Sequence, residues 1–177
     1  MPNWAWGTVT ITGKKDNVHK FAQRFLYEGD EKKKLDPDVP YFARSFAQTS
    51  RSAVIDEINE CFVNIPLESE AAFTVTVFFA YSADYCLNDG YPQITPESCI
   101  TLRDACIADC VSVKITAEEP SSDIEEEIYC NKDGGLDVQS RSLPSIVCGN
   151  CNADNSVPSF ADASEYECHE CGKPLSA

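Results

Sequence analysis

Strict alternation of apolar and polar residues marks the first predicted strand, residues 4–12. Alternation with a period of two places successive side chains on opposite faces of a sheet. Val9 and Ile11 would therefore face a core, whereas Trp4 and Trp6 would face away from it. We expect another part of the same chain, the C-terminal segment, to cover the two tryptophans; a bound ligand is the alternative.

Several other segments have the composition that is typical of strands. Residues 71–81 are β-branched, aromatic and nearly all apolar, which indicates a central strand. Asp133, Gly134 and Gly135 predict the turn of a hairpin. The remaining predicted strands, including the two arms of that hairpin, are residues 41–47, 111–116, 128–131 and 136–140.

Apolar residues at helical spacing lie between these strands. Asp16 is predicted to cap the first helix and Gly29 to end it. The apolar stripe of this helix consists of Val18, Phe21, Ala22, Phe25 and Leu26. A second helix is predicted to begin at Ser52 and a third at Thr95, which Pro96 follows. The order β-α-β-β-α-β, with an extra helix and a terminal hairpin, predicts an α+β fold, a ferredoxin-like sandwich with both helices on one face.

Two Cys-x-x-Cys motifs near the C-terminus have the spacing of a metal site. Cys148 and Cys151 form the first pair, and Cys168 and Cys171 follow after sixteen residues. Four thiolates at this spacing are typical of one structural Zn²⁺ ion, closed to further ligands. Two disulfides or free thiols are the alternative, and His169 is a possible replacement for one cysteine.

The position of the two motifs predicts that the chain has two domains. We expect a ferredoxin-like domain over residues 1–141 and a zinc-ribbon module over residues 142–177. Gly149 and Gly172 are expected to adopt the positive φ angles of the two tight turns. Three further cysteines on the predicted third helix, Cys99, Cys106 and Cys110, are interpreted as small buried hydrophobes.

Charge restricts the classes of partner. The net charge is −15, and residues 1–35 carry seven Lys/Arg against four Asp/Glu, so the acidic excess lies in the remainder. An acidic surface repels nucleic acid and attracts basic proteins, although it also serves solubility alone. Residues 148–177 carry five carboxylates against Lys173, which argues against phosphate binding by the module.

The chain lacks the usual signs of catalysis or of membrane insertion. Its two histidines, His19 and His169, have no nucleophile or phosphate loop in their sequence context, so we expect no enzyme. No apolar run is long enough to cross a bilayer, and the N-terminus has no secretory pattern. Together with the paired cysteines, this favours a reducing cytoplasm.

An acid-rich segment is the predicted contact with a partner. We expect its carboxylates to steer a basic protein towards the molecule, and exposed aromatic residues to anchor it. The carboxylates of this predicted contact are Glu118, Glu119, Asp123, Glu125, Glu126 and Glu127.

Two patches of the sequence resemble a known family. The opening Met1-Pro2-Asn3-Trp4, followed by a Thr/Val strand and a Thr-Gly-Lys turn, resembles the Api92-like phage proteins, which have a ferredoxin-like domain. The acidic run that starts at Ala117 is similar to a segment of the same family. The resemblance covers about residues 1–140, and the segment 81–84 departs from the pattern. The resemblance implies an origin in a mobile element, and hence the cytoplasm of a bacterial host, and it supplies no catalytic motif.

These features lead to a functional expectation. An acidic, compact, phage-like protein with a zinc ribbon resembles in type the anti-CRISPR inhibitors, whose targets hold nucleic acid in positively charged channels. We therefore expect an inhibitor that blocks nucleic-acid loading by a basic effector, such as an RNA-guided DNA nuclease. A structural or regulatory phage protein without such a target is the alternative, and a nucleic-acid-binding ribbon is a further one.

Overall fold

The computed structural model describes residues 3–27, 39–66, 69–89 and 99–175. The strands within these residues are β1 (Trp4–Gly13), β2 (Leu26–Tyr27), β3 (Ser45–Ala47), β4 (Ala71–Ala80), β5 (Ser112–Glu119), β6 (Ile124–Cys130), β7 (Leu136–Ser142), β8 (Ser145–Val147) and β9 (Asp154–Ser156). The α-helices are α1 (Lys15–Ala22), α2 (Arg51–Cys61) and α3 (Leu102–Asp109). Short helical turns follow at Tyr85–Asp89, Pro120–Ser122 and Ala163–Glu165.

Seven of these strands form one sheet, hereafter the main sheet, in the order β2-β3-β4-β1-β5-β6-β7. Only β2 and β3 pair in parallel, and the other neighbours are antiparallel. The α+β class is therefore confirmed, with a larger and mixed sheet. Helix α2 between β3 and β4, the parallel edge and the added strands β6 and β7 all depart from a four-stranded ferredoxin-like sandwich.

The helices pack against one face of the main sheet. The predicted alternation of β1 is confirmed, because Val9 and Ile11 are fully buried while Trp4 and Trp6 are exposed. Gly7 lies on the buried side, where an added Cβ would come within 2.5 Å of the Thr116 carbonyl oxygen. A side chain at this position would push β5 away, so the glycine permits close pairing. The opposite side of the sheet is called the open face below.

Helix α1 begins and ends differently from the prediction. Lys14 is its N-cap and no side chain caps it, so the assignment of this role to Asp16 was wrong. Asp16 instead lies in the first turn, where a carboxylate favours the helix dipole. The helix ends at Ala22, and Leu26 of the predicted stripe belongs to β2. The helical periodicity of the sequence continues to Leu26, but this residue forms a strand because it pairs with β3.

The other two helices begin with side-chain caps. Ser50, rather than the predicted Ser52, accepts a hydrogen bond from the Ala53 backbone N–H at 3.4 Å. Thr101 accepts one from the backbone N–H of Asp104 at 3.2 Å. Gly29, Thr95 and Pro96 lie outside the described residues. The predicted helix ends were nevertheless wrong, because α1 already ends at Ala22 and α3 begins only after Thr101.

A buried ion pair joins the end of α1 to α3. Arg24 donates from Nε to Asp109 Oδ2 at 2.6 Å and from Nη2 to Oδ1 at 2.8 Å. Both side chains are almost fully buried, and the exposed Lys20 adds a contact of 3.1 Å to the same carboxylate. Two parallel charge-assisted bonds satisfy the carboxylate that the core encloses.

The C-terminal residues form a second, smaller hydrophobic cluster next to the main sheet. It contains Cys148, Val157, Ala163, Cys168 and Leu175, separate from the cluster beneath the helices. The hairpin of β8 and β9 forms one side of it. Among the described helices, none combines the length and apolar character required to cross a bilayer.

Candidate metal centre and its attachment to the sheet

Four cysteine sulfurs converge in the C-terminal module, defined here as residues 142–175. The ligand atoms of Cys148, Cys151, Cys168 and Cys171 all lie within 4.8 Å of one another. The sulfur of Cys148 is 3.7 Å from that of Cys171, and the sulfur of Cys151 is 3.5 Å from that of Cys168. These separations are far above the S–S bond length of about 2.05 Å.

The sulfur separations fit a tetrahedral metal ion. Thiolates about 2.3 Å from a central Zn²⁺ stand about 3.8 Å apart at the corners of a tetrahedron. The four cysteines are therefore placed to hold one metal ion, and a soft four-thiolate set suits zinc. With four protein ligands, the site would have no open position for water or substrate.

The two Cys-x-x-Cys turns have the same backbone pattern. The N–H of Cys148 donates to the Ala153 carbonyl, and the N–H of Cys168 donates to the Lys173 carbonyl, both at 2.8 Å. The residue after each second cysteine takes a left-handed conformation, Asn152 with φ 61° and Gly172 with φ 66°. The prediction for Gly172 is confirmed. The prediction for Gly149 was wrong, because Asn152 supplies the positive φ of the first turn.

Backbone N–H groups within the turns favour thiolates. The N–H groups of Asn150 and Cys151 lower the pKa of Cys148. Burial alone would raise the pKa of Cys168, but the N–H groups of Cys171 and Glu170 outweigh it, so that the pKa falls to about 6. These donors prepare two of the four sulfurs to bind a cation as thiolates.

The pKa of Cys151 moves in the opposite direction. The Ala153 N–H lowers it, but the sulfur of Cys168, burial and the other two cysteines raise it to about 12. Four thiolates within this distance repel each other. A divalent cation at their centre would remove that repulsion.

His169 lies beside the cluster and faces away from it. Its Nδ1 is 2.9 Å from Asn155 Oδ1, and its backbone N–H donates to the same oxygen at 3.0 Å. Asn155 is buried and donates from its amide to the Ala153 carbonyl at 2.9 Å. Asn155 therefore links the two cysteine turns, and the four sulfurs form the cluster without the imidazole. No sequence motif marks Asn155, so this role could not be predicted from the sequence.

Glu125 attaches the module to the main sheet. Its carboxylate is almost fully buried and accepts hydrogen bonds from the backbone N–H and the hydroxyl of Ser159, both at 2.6 Å. Arg141 of β7 also donates to Glu125, and its Nη2 reaches Ser159 Oγ at 2.7 Å and Glu127 at 2.8 Å. Ser159 and Arg141 were not identified from the sequence, since isolated serines and arginines carry no positional signal.

Glu118 forms a second contact between the module and the sheet. Glu118 belongs to β5 and lies directly opposite Glu125 of β6. Its carboxylate accepts a hydrogen bond from the Trp6 indole N–H. The hydroxyl of Tyr166, from the module, donates to the same carboxylate oxygen at 3.3 Å. The module therefore reaches the open face beside Trp6 and leaves both tryptophans about half exposed.

The other acids of the predicted partner contact are divided between interior and surface. Glu119 is buried and accepts from Ser121. Glu126 is buried on the helix side of the sheet and accepts from the Ala83 backbone N–H at 2.7 Å. Asp123 is exposed and Glu127 is half-buried. Four of the six carboxylates, Glu118, Glu119, Glu125 and Glu126, are thus buried and hydrogen-bonded within the chain, which removes them from direct contact with a partner.

The three cysteines assigned to the predicted third helix differ in exposure. Cys106 is fully buried, and burial raises the pKa of its thiol, as expected of a small hydrophobe. Cys99 is half-buried and precedes α3. Cys110 is exposed at the C-cap of α3, so the prediction of a buried position was wrong for this residue.

No protein-family model, curated protein or solved structure matches this chain. The resemblance of the N-terminal segment to the Api92-like phage proteins therefore stays a prediction.

Proposed function

We propose that this chain is a metal-stapled binding protein for a basic, nucleic-acid-handling protein, and that it acts as a phage-encoded inhibitor of such an effector. In this proposal the protein has no catalytic role of its own. The observation that supports the proposal is the acidic surface. The four-cysteine site adds to it, because four cysteine ligands would leave a bound metal no free coordination position for catalysis. An RNA-guided DNA nuclease is the target class on which we base the test, because its nucleic-acid channel is positively charged.

The proposed metal is one structural Zn²⁺ ion bound by the four cysteines. A closed thiolate site contributes folding free energy, about 10–16 kcal/mol apparent in zinc-finger peptides, rather than chemistry. The small hydrophobic cluster of the module is too limited to fold by itself, so the ion would hold the module in shape. We accordingly propose that residues 142–177 are a zinc ribbon attached to a domain formed by residues 1–141.

The strand order supports a finer proposal for that domain. The order β3-β4-β1-β5, with antiparallel neighbours throughout, is the one that two split β-α-β units produce. We infer that these four strands derive from a ferredoxin-like unit. Helix α2 would then be an insertion, and β2, β6 and β7 would be additions to its two edges.

Surface charge supports a basic partner rather than nucleic acid. The module exposes five carboxylates, Asp154, Asp162, Glu165, Glu167 and Glu170. Lys173 is its one exposed cation within the described residues. Phosphate binding requires neutralisation by Lys and Arg, so this surface repels a nucleic-acid strand and attracts proteins that bind one.

Plasmid cleavage by purified RNA-guided nucleases tests the proposal. The protein is added before or after the guide and the target DNA, and we expect inhibition only when it is added first. Neutralising Glu165, Glu167 and Glu170 to Gln should weaken inhibition. The matched control neutralises Asp56, Glu57 and Glu60, three exposed acids on α2 at the other side of the sheet. Equal loss in both variants would show that total charge alone matters.

Capture from a bacterial lysate at low and high salt tests the wider class. We expect a basic nucleic-acid-handling complex at low salt and its release at high salt, because surface charges are screened. Recovery of acidic phage proteins only would favour a structural or regulatory role. Retardation of DNA by the purified protein would contradict the charge argument.

A further inference from the structure

Four aromatic side chains lie next to each other on the open face, hereafter the aromatic patch. It consists of Trp4, Trp6, Phe46 and Phe78. Phe46 of β3 lies opposite Phe78 of β4, and Phe78 lies opposite Trp6 of β1. The ring centroids of Trp4 and Phe46 are 5.8 Å apart in an edge-to-face arrangement. The patch therefore crosses three neighbouring strands.

Both tryptophans of the patch remain accessible. Trp4 is 43% exposed and Trp6 is 45% exposed, while the two phenylalanines are half-buried. The same face continues along β1 and β4 with Thr8, Thr10, Thr74 and Thr76. The large apolar rings are therefore concentrated at one end of a face that is otherwise polar. Clustered and exposed tryptophans are the residues that most often dominate binding free energy at interfaces.

Negative charge borders this patch. The Glu118 carboxylate lies at the edge of Trp6 and accepts its indole N–H. A carboxylate at this position polarises the indole and increases the electron density of its ring. Tyr166 donates to the same carboxylate, and the exposed Glu165 and Glu167 are its neighbours in the chain.

Arg44, just before β3, is a cation next to the patch, since its carbonyl accepts a hydrogen bond at 3.2 Å from Ala80, the partner of Trp4. Positive charge within the strands of the open face lies farther away. Lys114 of β5 lies opposite Thr10, four residues along β1 from Trp6 and so about 13 Å away. Arg141 is held by Glu125 and Glu127. The electron-rich rings and the exposed Glu165 and Glu167 therefore complement a cation, while the buried Glu118 acts only through the indole of Trp6.

We propose that the aromatic patch binds arginine side chains of a basic protein segment, with guanidinium groups stacked on Trp4 and Trp6. This inference rests on the proposed function and identifies where the basic partner docks. Guanidinium is planar and weakly hydrated, so it stacks on aromatic rings more readily than the ammonium group of lysine. The exposed carboxylates on either side of Tyr166 in the chain attract the segment, and the rings select arginine within it.

Fluorescence reports on this patch directly, because the two tryptophans of the chain are both part of it. A nona-arginine peptide is titrated into the full-length, metal-loaded protein at physiological salt, with nona-lysine as the probe of equal charge. We expect a saturable change in tryptophan emission and tighter binding of the arginine peptide. Equal affinity for both peptides would contradict stacking and overturn the proposal.

Two variants locate the site. Trp4→Ala should weaken nona-arginine binding about tenfold, with Trp6 as the remaining reporter, whereas Trp4→Phe should retain most of the affinity. The matched control is Tyr129→Ala, which removes a 49%-exposed ring from the same open face at a distance from the patch. Equal affinities of Trp4→Ala and wild type, or equal losses in the two alanine variants, would overturn the proposal.

A single-stranded oligonucleotide provides the competing outcome, because bases also stack on aromatic side chains. Binding of the oligonucleotide more tightly than the arginine peptide would overturn the inference.

The plasmid-cleavage assay with the same variants separates the inference about the aromatic patch from the proposed function. If Trp4→Ala inhibits as wild type does, the inference fails while the function stands. If wild type inhibits no effector but binds nona-arginine through Trp4, the function fails while the inference stands.

Discussion

Glu118 and Glu125 lie directly opposite each other on neighbouring strands, and both are buried. Like charges in this position destabilise a sheet. Burial alone would raise the pKa of Glu125, but hydrogen bonds from Ser159 and Arg141 outweigh it and lower the pKa. Burial raises the pKa of Glu118, and the bonds from Trp6 and Tyr166 offset this only in part. Of the two carboxyl groups, Glu125 is therefore the one that stays ionised more readily, and Glu118 is the one that takes up a proton more readily.

Replacement of Glu125 tests the attachment of the module. Glu125→Gln removes charge-assisted hydrogen bonds to Ser159 and Arg141, and we expect a loss of about 1.5–3 kcal/mol in the free energy of unfolding. The matched control is Glu127→Gln, which removes a more exposed contact to the same arginine and should cost less than about 1 kcal/mol. Urea unfolding measures both, and equal costs would contradict the assigned role of Glu125.

The burial of Glu126 predicts how the free energy of unfolding depends on pH. Burial raises its pKa in the folded protein, partly offset by the Ala83 N–H. Its contribution to stability is therefore complete below the pKa of the unfolded chain, about 4.3, and is lost as the pH rises through the folded pKa. Glu126→Gln should consequently gain stability relative to wild type between about pH 4 and pH 7. Unfolding free energies measured across this range test the sign, and a relative loss with rising pH would contradict it.

Each cysteine turn depends on one residue with positive φ. Gly172 has no atom near the position of an added Cβ, so a substitution there is strained by the backbone alone. We expect Gly172→Ala to destabilise the module by about 1–2 kcal/mol. Gly149→Ala is the matched control, because Gly149 has no positive φ and should tolerate the change. The measurement is the chelator concentration that removes half of the metal, which should fall only for Gly172→Ala.

Periodicity and motif spacing predicted the elements that depend on local sequence. The strand β1, the two faces that it presents and the four cysteines of the metal centre follow from alternation and from Cys-x-x-Cys spacing. The two-residue strand β2 carries too little periodicity to be recognised, and it forms through parallel pairing with β3. The sequence could not show that Glu118 and Glu125 are buried, because the cover comes from Ser159 and Tyr166 more than thirty residues away.

At the scale of the molecule, the described residues form a large core under one face of a sheet and a small module with the four-cysteine cluster at the other face. The module contacts the sheet through Glu125 and Glu118, next to the aromatic patch. Loss of the metal would therefore change the border of that patch as well as the module itself. We therefore expect binding of the proposed basic partner to be linked to binding of the metal.

Hydrogen exchange with parallel metal analysis tests this account most directly. The purified protein is measured before and after a chelator removes the metal, with one metal ion per chain expected at the start. We expect amide protection to be lost over residues 145–175, where the cysteine turns lie, and to persist in β4 and β5 of the main sheet. Unchanged protection of residues 145–175 after the metal has been removed would contradict the claim that the four-cysteine centre holds the module together.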